Sequence, residues 1–262
     1  MLDRLCALAL EAGRAIMAVY EAPRFEHHLK SDASPVTEAD TRAEAIILEG
    51  LRADYPAIPI VAEEESAAGR VPATAEWFFL VDPLDGTREF LARNGDFTVN
   101  IALIENGAPT LGVIFAPASG ELFGGASGLG AFRAHVENGR SGPRAAIATR
   151  SASPAPVAVA SRSHGSAETN EWLKRRSVEN YVARGSSLKF CLLAAGEADL
   201  YPRFTRTMEW DTAAGDAILR AAGGTVHDLD GRPLRYNKRD QPSDADFANK
   251  GFIAYGDPGL AT

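Results

Sequence analysis

Two aspartates three residues apart, Asp82 and Asp85, follow the apolar run Trp77 to Val81 in the stretch WFFLVDPLDGTREF. Such a run reads as a strand buried on both faces, breaking at Asp82-Pro83. Carboxylates leaving a dry core must be paired, protonated or bound to a cation. The next cation along the chain is Arg88, so a metal ion is the first candidate partner. A second apolar run, Ile58 to Ala62, also ends in acids, Glu63-Glu64-Glu65. Neighbouring strands would bring both acidic ends to one sheet edge, where layered folds place ligands. A solvated charge run is the other reading of the three glutamates, and the residues leave both open.

Asp211 opens a helix running to Ala222, and Asp40 lies in the first turn of another. There Thr37 is a plausible N-cap, with Asp40 three residues on as an approximate capping box. Asp40 reads equally as a capping acid or as a site acid. Oxygen-only ligands suit hard cations, and Mg²⁺ is held by a few carboxylates plus substrate phosphates. Two such ions about 3.5–4 Å apart clamp both sides of an in-line displacement. Zinc ligands are missing at the required Cys and His spacing, the pair His27-His28 having no third partner nearby. Neither a G-x-S-x-G elbow nor a GK[ST] loop is present. The residues alone therefore point to a Mg²⁺-dependent hydrolase acting on phosphate.

The elements that must position these groups follow in chain order. Leu2 to Tyr20 has helical periodicity, Pro23 to Ser34 is a polar loop or edge strand, and a helix follows to Tyr55. Asp96 to Glu105, Thr110 to Ala116, Gly120 to Gly125 and Ala131 to Val136 form an antiparallel meander, with a hairpin turn at Asn106-Gly107. Residues 1–140 thus form an N-terminal α+β part carrying the acidic motifs. Glu137 to Pro156, rich in Gly, Ser, Ala and Pro, is the candidate boundary. Residues 155–262 alternate strands and helices as an α/β part that completes the site: strands at Val157–Ala160, Val178–Ala183, Ala198–Tyr201, Thr225–His227 and Phe252–Tyr255, and helices at Ser166–Arg175, Leu188–Ala195 and from Asp211.

A chain of 262 residues, 45% apolar and 24% charged, has ample length for a large core. The net charge of −8 argues against a general nucleic-acid binder but not against a small anionic substrate, provided metals offset the local charge. Cys6 and Cys191 sit in apolar helical patterns and read as core thiols of a cytosolic protein. Asp3, Arg4, Glu11 and Arg14 interrupt the first twenty residues, so these are no signal peptide, and no run approaches the roughly 18 apolar residues of a membrane helix. The chain reads as cytoplasmic, with peripheral attachment at the inner membrane face also compatible, and as a monomer or homodimer.

DPLDGT after WFFLV, Glu63-Glu64 at a strand end, and WDTAAG at 210–215 resemble the inositol-monophosphatase-like, lithium-sensitive phosphatase superfamily. DGTREFLARNGDFTVNIALIENG, SRSH at 161–164, GSSLKFCLLAAGEADLYPRF at 185–204 and EWDTAAGDAILRAAGG resemble its 3′(2′),5′-bisphosphate nucleotidases over nearly the whole chain. The resemblance implies an α+β fold, a layered α-β-α-β-α sandwich. It also implies that Glu63, Asp82 and the backbone carbonyl of Leu84 bind one Mg²⁺, while Asp82 bridges to a second held by Asp85 and Asp211. A water activated there and oriented by Thr87, whose hydroxyl pairs with Asp40, would attack the phosphorus, making Asp40, Thr87 and Glu63 the catalytic set. Glu63, Leu84, Asp85, Gly86, Thr87 and Asp211 would surround the phosphate, with backbone N–H groups offered by Gly86 and Thr87. Gly185, Ser186, Ser187 and Lys189 would line the nucleoside side. Arg203 is a weaker candidate there, and His164 either contacts a phosphate or is a solvated loop residue.

Related proteins usually have Ser or Gly before the glutamate pair and Asp or Ser after it, where this chain reads Val-Ala-Glu-Glu-Glu; Glu63 itself is kept. Glu64 either orients a third, weakly held ion or supports the other ligands. The implied reaction is removal of the 3′-phosphate of adenosine 3′,5′-bisphosphate to give AMP, with the sulfated analogue a second substrate, in sulfate assimilation. The rivals are an inositol monophosphatase or fructose-1,6-bisphosphatase of the same superfamily, and a non-catalytic regulator that binds metal or nucleotide.

Overall fold

The computed structural model describes residues 1–23, 27–29, 35–161 and 166–261. Helix α1 (Leu2–Tyr20) leads to a ribbon of β1 (His27–Leu29) and β2 (Pro35–Thr37), then to α2 (Glu38–Asp54), β3 (Ile60–Ala62) and a short α3 (Glu63–Ala67). β4 (Trp77–Asp85) and α4 (Thr87–Leu91) precede β5 (Thr98–Glu105), β6 (Ala108–Ala116), β7 (Glu121–Ala126), β8 (Gly130–Glu137), β9 (Arg140–Ser141) and β10 (Ala145–Ile147). The rest comprises β11 (Val157–Ser161), α5 (Ala167–Arg175), β12 (Asn180–Arg184), α6 (Leu188–Ala194), β13 (Leu200–Arg203), β14 (Thr207–Met208), α7 (Glu209–Ala221), β15 (Thr225–Asp228), β16 (Ala248–Asn249) and β17 (Phe252–Tyr255).

Two sheets alternate with three helical layers. The larger runs β10-β8-β7-β6-β5-β4-β3 and the smaller β12-β11-β13-β17-β15. The period of two along each strand sorts its side chains between layers. Phe79, Val81, Ile101 and Leu103 pack toward α1 and α2, while Phe78, Leu80, Ala102 and Ile104 pack toward α6 and α7. Val159, Tyr201 and Phe252 of the smaller sheet join that second core, and Ala158, Leu200 and Ile253 face a third with Leu173 of α5. The expected α-β-α-β-α sandwich is the fold found. β5 to β8 form the expected meander, turning at Asn106 and Gly107, both with positive φ (51° and 72°), as a two-residue I′ hairpin requires.

Three local expectations need correction. The chain does not break at Asp82-Pro83. β4 continues to Asp85, and its pairing with β5 shifts between Asp82↔Asn100 and Asp85↔Thr98, giving β4 one extra residue, a bulge that accommodates Pro83. Glu63-Glu64-Glu65 is neither a strand tail nor a simple charge run, because it starts α3. Asp211 does not open its helix; α7 begins at Glu209. Within the 137–156 stretch, β9 and β10 extend the larger sheet along β8. Both cysteines are buried free thiols, and among the described residues no helix is long and apolar enough to cross a membrane.

The middle helical layer is set by small residues. Ala213, Ala214 and Ala217 of α7 are fully or almost fully buried against β6 and β7. A Cβ on Gly112 of β6 would stand 2.3 Å from the carbonyl oxygen of Ala214, and one on Gly125 of β7 would stand 2.9 Å from the Ile218 Cα. Gly112→Ala must therefore displace the α7 backbone and costs about 1–3 kcal/mol. The expected drop in melting temperature is roughly 2–4 °C per kcal/mol. An unchanged melting temperature would contradict the close seating of α7.

Candidate active site

Residues of α3, β4, α4, α6, β13, β14 and α7 line one cleft of about 340 Å³. β3 and β4 are parallel with Ala62 opposite Val81, so the following residues, Glu63 and Asp82, emerge side by side. The β4 bulge then presents Asp82, Leu84 and Asp85 to the cleft. Asp82 is almost fully buried, and its Oδ1 accepts the Leu84 N–H at 3.0 Å, which stiffens the bulge. Gly86, at φ 93°, turns the chain into α4, where Thr87 begins the helix. From the opposite side α7 brings Asp211, whose carboxylate accepts the Met208 N–H at 2.8 Å.

Asp40 does not line the cleft; it reaches it through Thr87. Its Oδ2 accepts from the Thr37 N–H at 2.8 Å and the Thr37 hydroxyl at 2.7 Å, and its Oδ1 lies 3.3 Å from the Thr87 hydroxyl. One buried carboxylate thus serves as the capping acid and also contacts Thr87 of the cleft. The Thr87 hydroxyl has a second acceptor, the Leu84 carbonyl, also at 3.3 Å. Donating to either leaves its lone pairs open to a water in the cleft.

The carboxylates make the cleft electrostatically unstable by itself. Burial, reinforced by Glu63, Asp85 and Asp211, pushes the Asp82 carboxyl well above the usual carboxylate range. Burial, then Asp85 and Glu63, raise Asp211 to about 8. Asp85 is raised to about 6 by burial, opposed by Lys189, the Ser187 backbone N–H and the Asn100 amide 3.5 Å away. Among the described residues no three Asp, Glu, His or Cys side chains stand in coordination geometry. The donor set nevertheless fits a hard divalent cation, since its members are oxygens carrying more negative charge than the site neutralises.

The α6 side combines placements of several kinds. Ser186, in a left-handed conformation (φ 47°), lines the cleft with Ser187 and Lys189. The Ser187 hydroxyl is engaged inside the protein, 2.7 Å from Asn100 Oδ1 and 2.8 Å from the Thr98 hydroxyl. Lys189 is 3% exposed, its ammonium held by the Ser186 carbonyl and set 5.3 Å from the Tyr201 ring centroid, and burial lowers it to about 8. Gly185 lies outside the lining. Its N–H donates to Asp96 at 2.9 Å, and a Cβ there would stand 2.6 Å from the Asp96 Cβ. Arg203 lines the cleft, and among the described residues its buried Nε has no partner. His164 lies outside the described residues.

Arg88, Asn100, Tyr201 and Arg206 belong to the site without having been singled out from sequence. Asn100 left one signal, a lone amide in the otherwise apolar centre of TVNIALIE, where a buried polar group needs a partner.

A profile described as the inositol monophosphatase family matches residues 1–254. The 3′(2′),5′-bisphosphate nucleotidase CysQ of Escherichia coli (strain K12) is 47% identical over 253 residues, 96% of this chain and 98% of that protein. The protein of the same name from Buchnera aphidicola subsp. Acyrthosiphon pisum is 43% identical over 256 residues, covering 97% of this chain and 93% of that one. The crystal structure of CysQ from Bacteroides thetaiotaomicron, described as a bacterial member of the inositol monophosphatase family, superposes with a TM-score of 0.79 at 38% identity, over 97% of this chain and 96% of that one. An inositol monophosphatase from Anabaena (Nostoc) sp. PCC 7120 gives 0.74 at 27% identity, over 99% and 93%.

The raised carboxyls fix the sign of a pH effect. In ion-free protein, Asp82, Asp85 and Asp211 hold protons that the unfolded chain releases near pH 4. Their contribution to stability is therefore full below about pH 4 and is lost as pH rises through about 6 for Asp85 and 8 for Asp211. Chelator-treated protein should melt at progressively lower temperature from pH 5 to 8.5, and saturating Mg²⁺ should flatten that slope. A chelated melting profile that rises over this range would contradict the cluster.

Proposed function

This chain belongs to the inositol monophosphatase family, whose members depend on divalent metal ions, and we propose that it removes the 3′-phosphate of adenosine 3′,5′-bisphosphate to give AMP and phosphate. One observation carries the reading. Glu63, Asp82, Asp85 and Asp211 meet in a cleft that Arg88, Lys189, Arg203 and Arg206 also line. A substrate with a single phosphate needs anion-binding groups only at the acids' end, offset by metal. The added cations suit a ligand with further negative charge, and the relatives at 43–48% identity are named as bisphosphate nucleotidases.

Glu63, Asp82, Asp85, Asp211 and the Leu84 carbonyl would hold two Mg²⁺ ions, and Glu64 would either orient a third or support the other ligands. Bound there, the ions would supply charge neutralisation, a more acidic water and stabilisation of the leaving oxygen. The chain's own contribution is orientation. Asp40 fixes the Thr87 hydroxyl, which directs its lone pairs to the attacking water. The Asn100 amide and Ser187 N–H face the Asp85 carboxylate as donors and help to orient it. The sulfated analogue of the bisphosphate would be a second substrate, and the activity would serve sulfate assimilation in the cytoplasm.

Phosphate release from adenosine 3′,5′-bisphosphate should exceed release from inositol 1-phosphate. Equal or faster hydrolysis of the inositol ester would overturn the choice of substrate and favour the sister activity. Asp85→Asn removes one charge at constant volume and should lower activity at fixed Mg²⁺ by about 10–100-fold or more with the fold retained. Folded protein with near-normal turnover would contradict Asp85 as an ion ligand. Millimolar Li⁺ is expected to inhibit turnover, checked by titration at fixed Mg²⁺.

A further inference from the structure

Helix α3 has little local reason to exist. It is five residues long, far below the roughly 12 residues at which an isolated helix becomes marginal. Its N-cap position is Ala62, which has no side-chain oxygen to accept the free N–H groups of the first turn. The glutamate that would ligate metal, Glu63, is its first residue. The missing acceptor comes from another helix. Glu44 of α2, 4% exposed, accepts the Glu64 N–H on Oε2 at 2.8 Å and the Glu65 N–H on Oε1 at 2.9 Å. Both carboxylate oxygens are used, and both donors are first-turn N–H groups that no helical carbonyl can satisfy.

Glu44 lies one helical turn from Asp40, so both carboxylates project from one face of α2. Asp40 fixes Thr87 at the start of α4, and Glu44 fixes the start of α3. The two residues aimed at the cleft from this side, Thr87 and Glu63, are thus each the first residue of a short helix anchored to α2.

We propose that Glu44 is a positioning residue for the ion site, capping α3 in place of Ala62 so that Glu63 is held beside Asp82 before any cation arrives. The inference rests on Glu63 being an ion ligand, as proposed above. A glutamate without this anchor would have to be ordered when the ion binds, which weakens binding. Loss of a group that orients a metal ligand typically costs about 10–100-fold in metal affinity.

The test is Mn²⁺ binding to the full chain followed by electron paramagnetic resonance, with folding checked by circular dichroism. Glu44→Gln keeps the shape and one acceptor but turns an NH₂ toward the second N–H, and should weaken Mn²⁺ binding about tenfold. Ala62→Ser supplies a local cap, so the double variant Ala62→Ser/Glu44→Gln should recover most of that loss. A general packing defect would not be repaired by a serine hydroxyl at the N-cap. Glu63→Gln reports on the underlying reading: unchanged Mn²⁺ affinity there removes Glu63 as a ligand and the inference with it. If Glu63→Gln weakens binding while folded Glu44→Gln does not, the inference alone fails. Tenfold weakening that Ala62→Ser leaves uncorrected also overturns it. Should Glu44→Gln not fold, the folded double variant decides, by matching the parent affinity or falling tenfold short.

Discussion

Glu63, Asp82, Asp85 and Asp211 repel one another at one end of the larger sheet, and much of the surrounding structure is what holds them there. Two like charges about 4 Å apart cost roughly 4 kcal/mol at an effective dielectric constant of about 20. That is comparable to the loss from truncating one large buried side chain to alanine. No single hydrogen bond in the cleft offsets it. The offset lies in the apolar layers behind the acids: Phe78 to Val81 buried on both faces, α7 seated on Gly112 and Gly125, and the Phe190, Tyr201 and Phe252 rings clustered under α6. Partial protonation relieves the strain without metal, and cation binding relieves it more completely. The cleft is therefore a place where protons and cations compete.

Much of this was legible in the sequence, and the reasons are specific. The apolar run Trp77 to Val81 announced β4, because a strand covered on both faces is apolar at successive positions. Asn106-Gly107 announced its hairpin because both residues tolerate positive φ. The acids at element ends announced the site because few other arrangements make buried carboxylates acceptable. Thr37 and Asp40 declared a capping box through spacing alone, and the box is present.

What escaped was information held by contacts rather than by neighbours. The continuation of β4 past Pro83 depends on the β5 strand opposite, which lets a bulge absorb the proline. α3 and α4, five residues each, are too short to show a period. Gly185 read as a ligand-side glycine because it begins GSSLK, whereas the approach that demands a glycine there is to Asp96, 89 residues earlier. Glu44, twenty residues from the backbone it caps, looked like any polar helix residue. Only the three-dimensional pairing of α2 with α3 gives it a role.

The bulge in β4 has a consequence that concerns chain length rather than residue type. Along a regular strand, residues separated by an odd number point to opposite faces, so Asp82 and Asp85 would be divided between the two sides of the sheet. The extra residue changes the parity of the count and delivers both to one cleft. Removing Pro83 or Leu84 while keeping every acid would leave a spacing of two, which a regular strand also puts on one face, but it would abolish the bulge and with it the contact of Asp82 with the Leu84 N–H at the cleft. Between Asp82 and Asp85 the chain can accept a change of letter far more readily than a change of number.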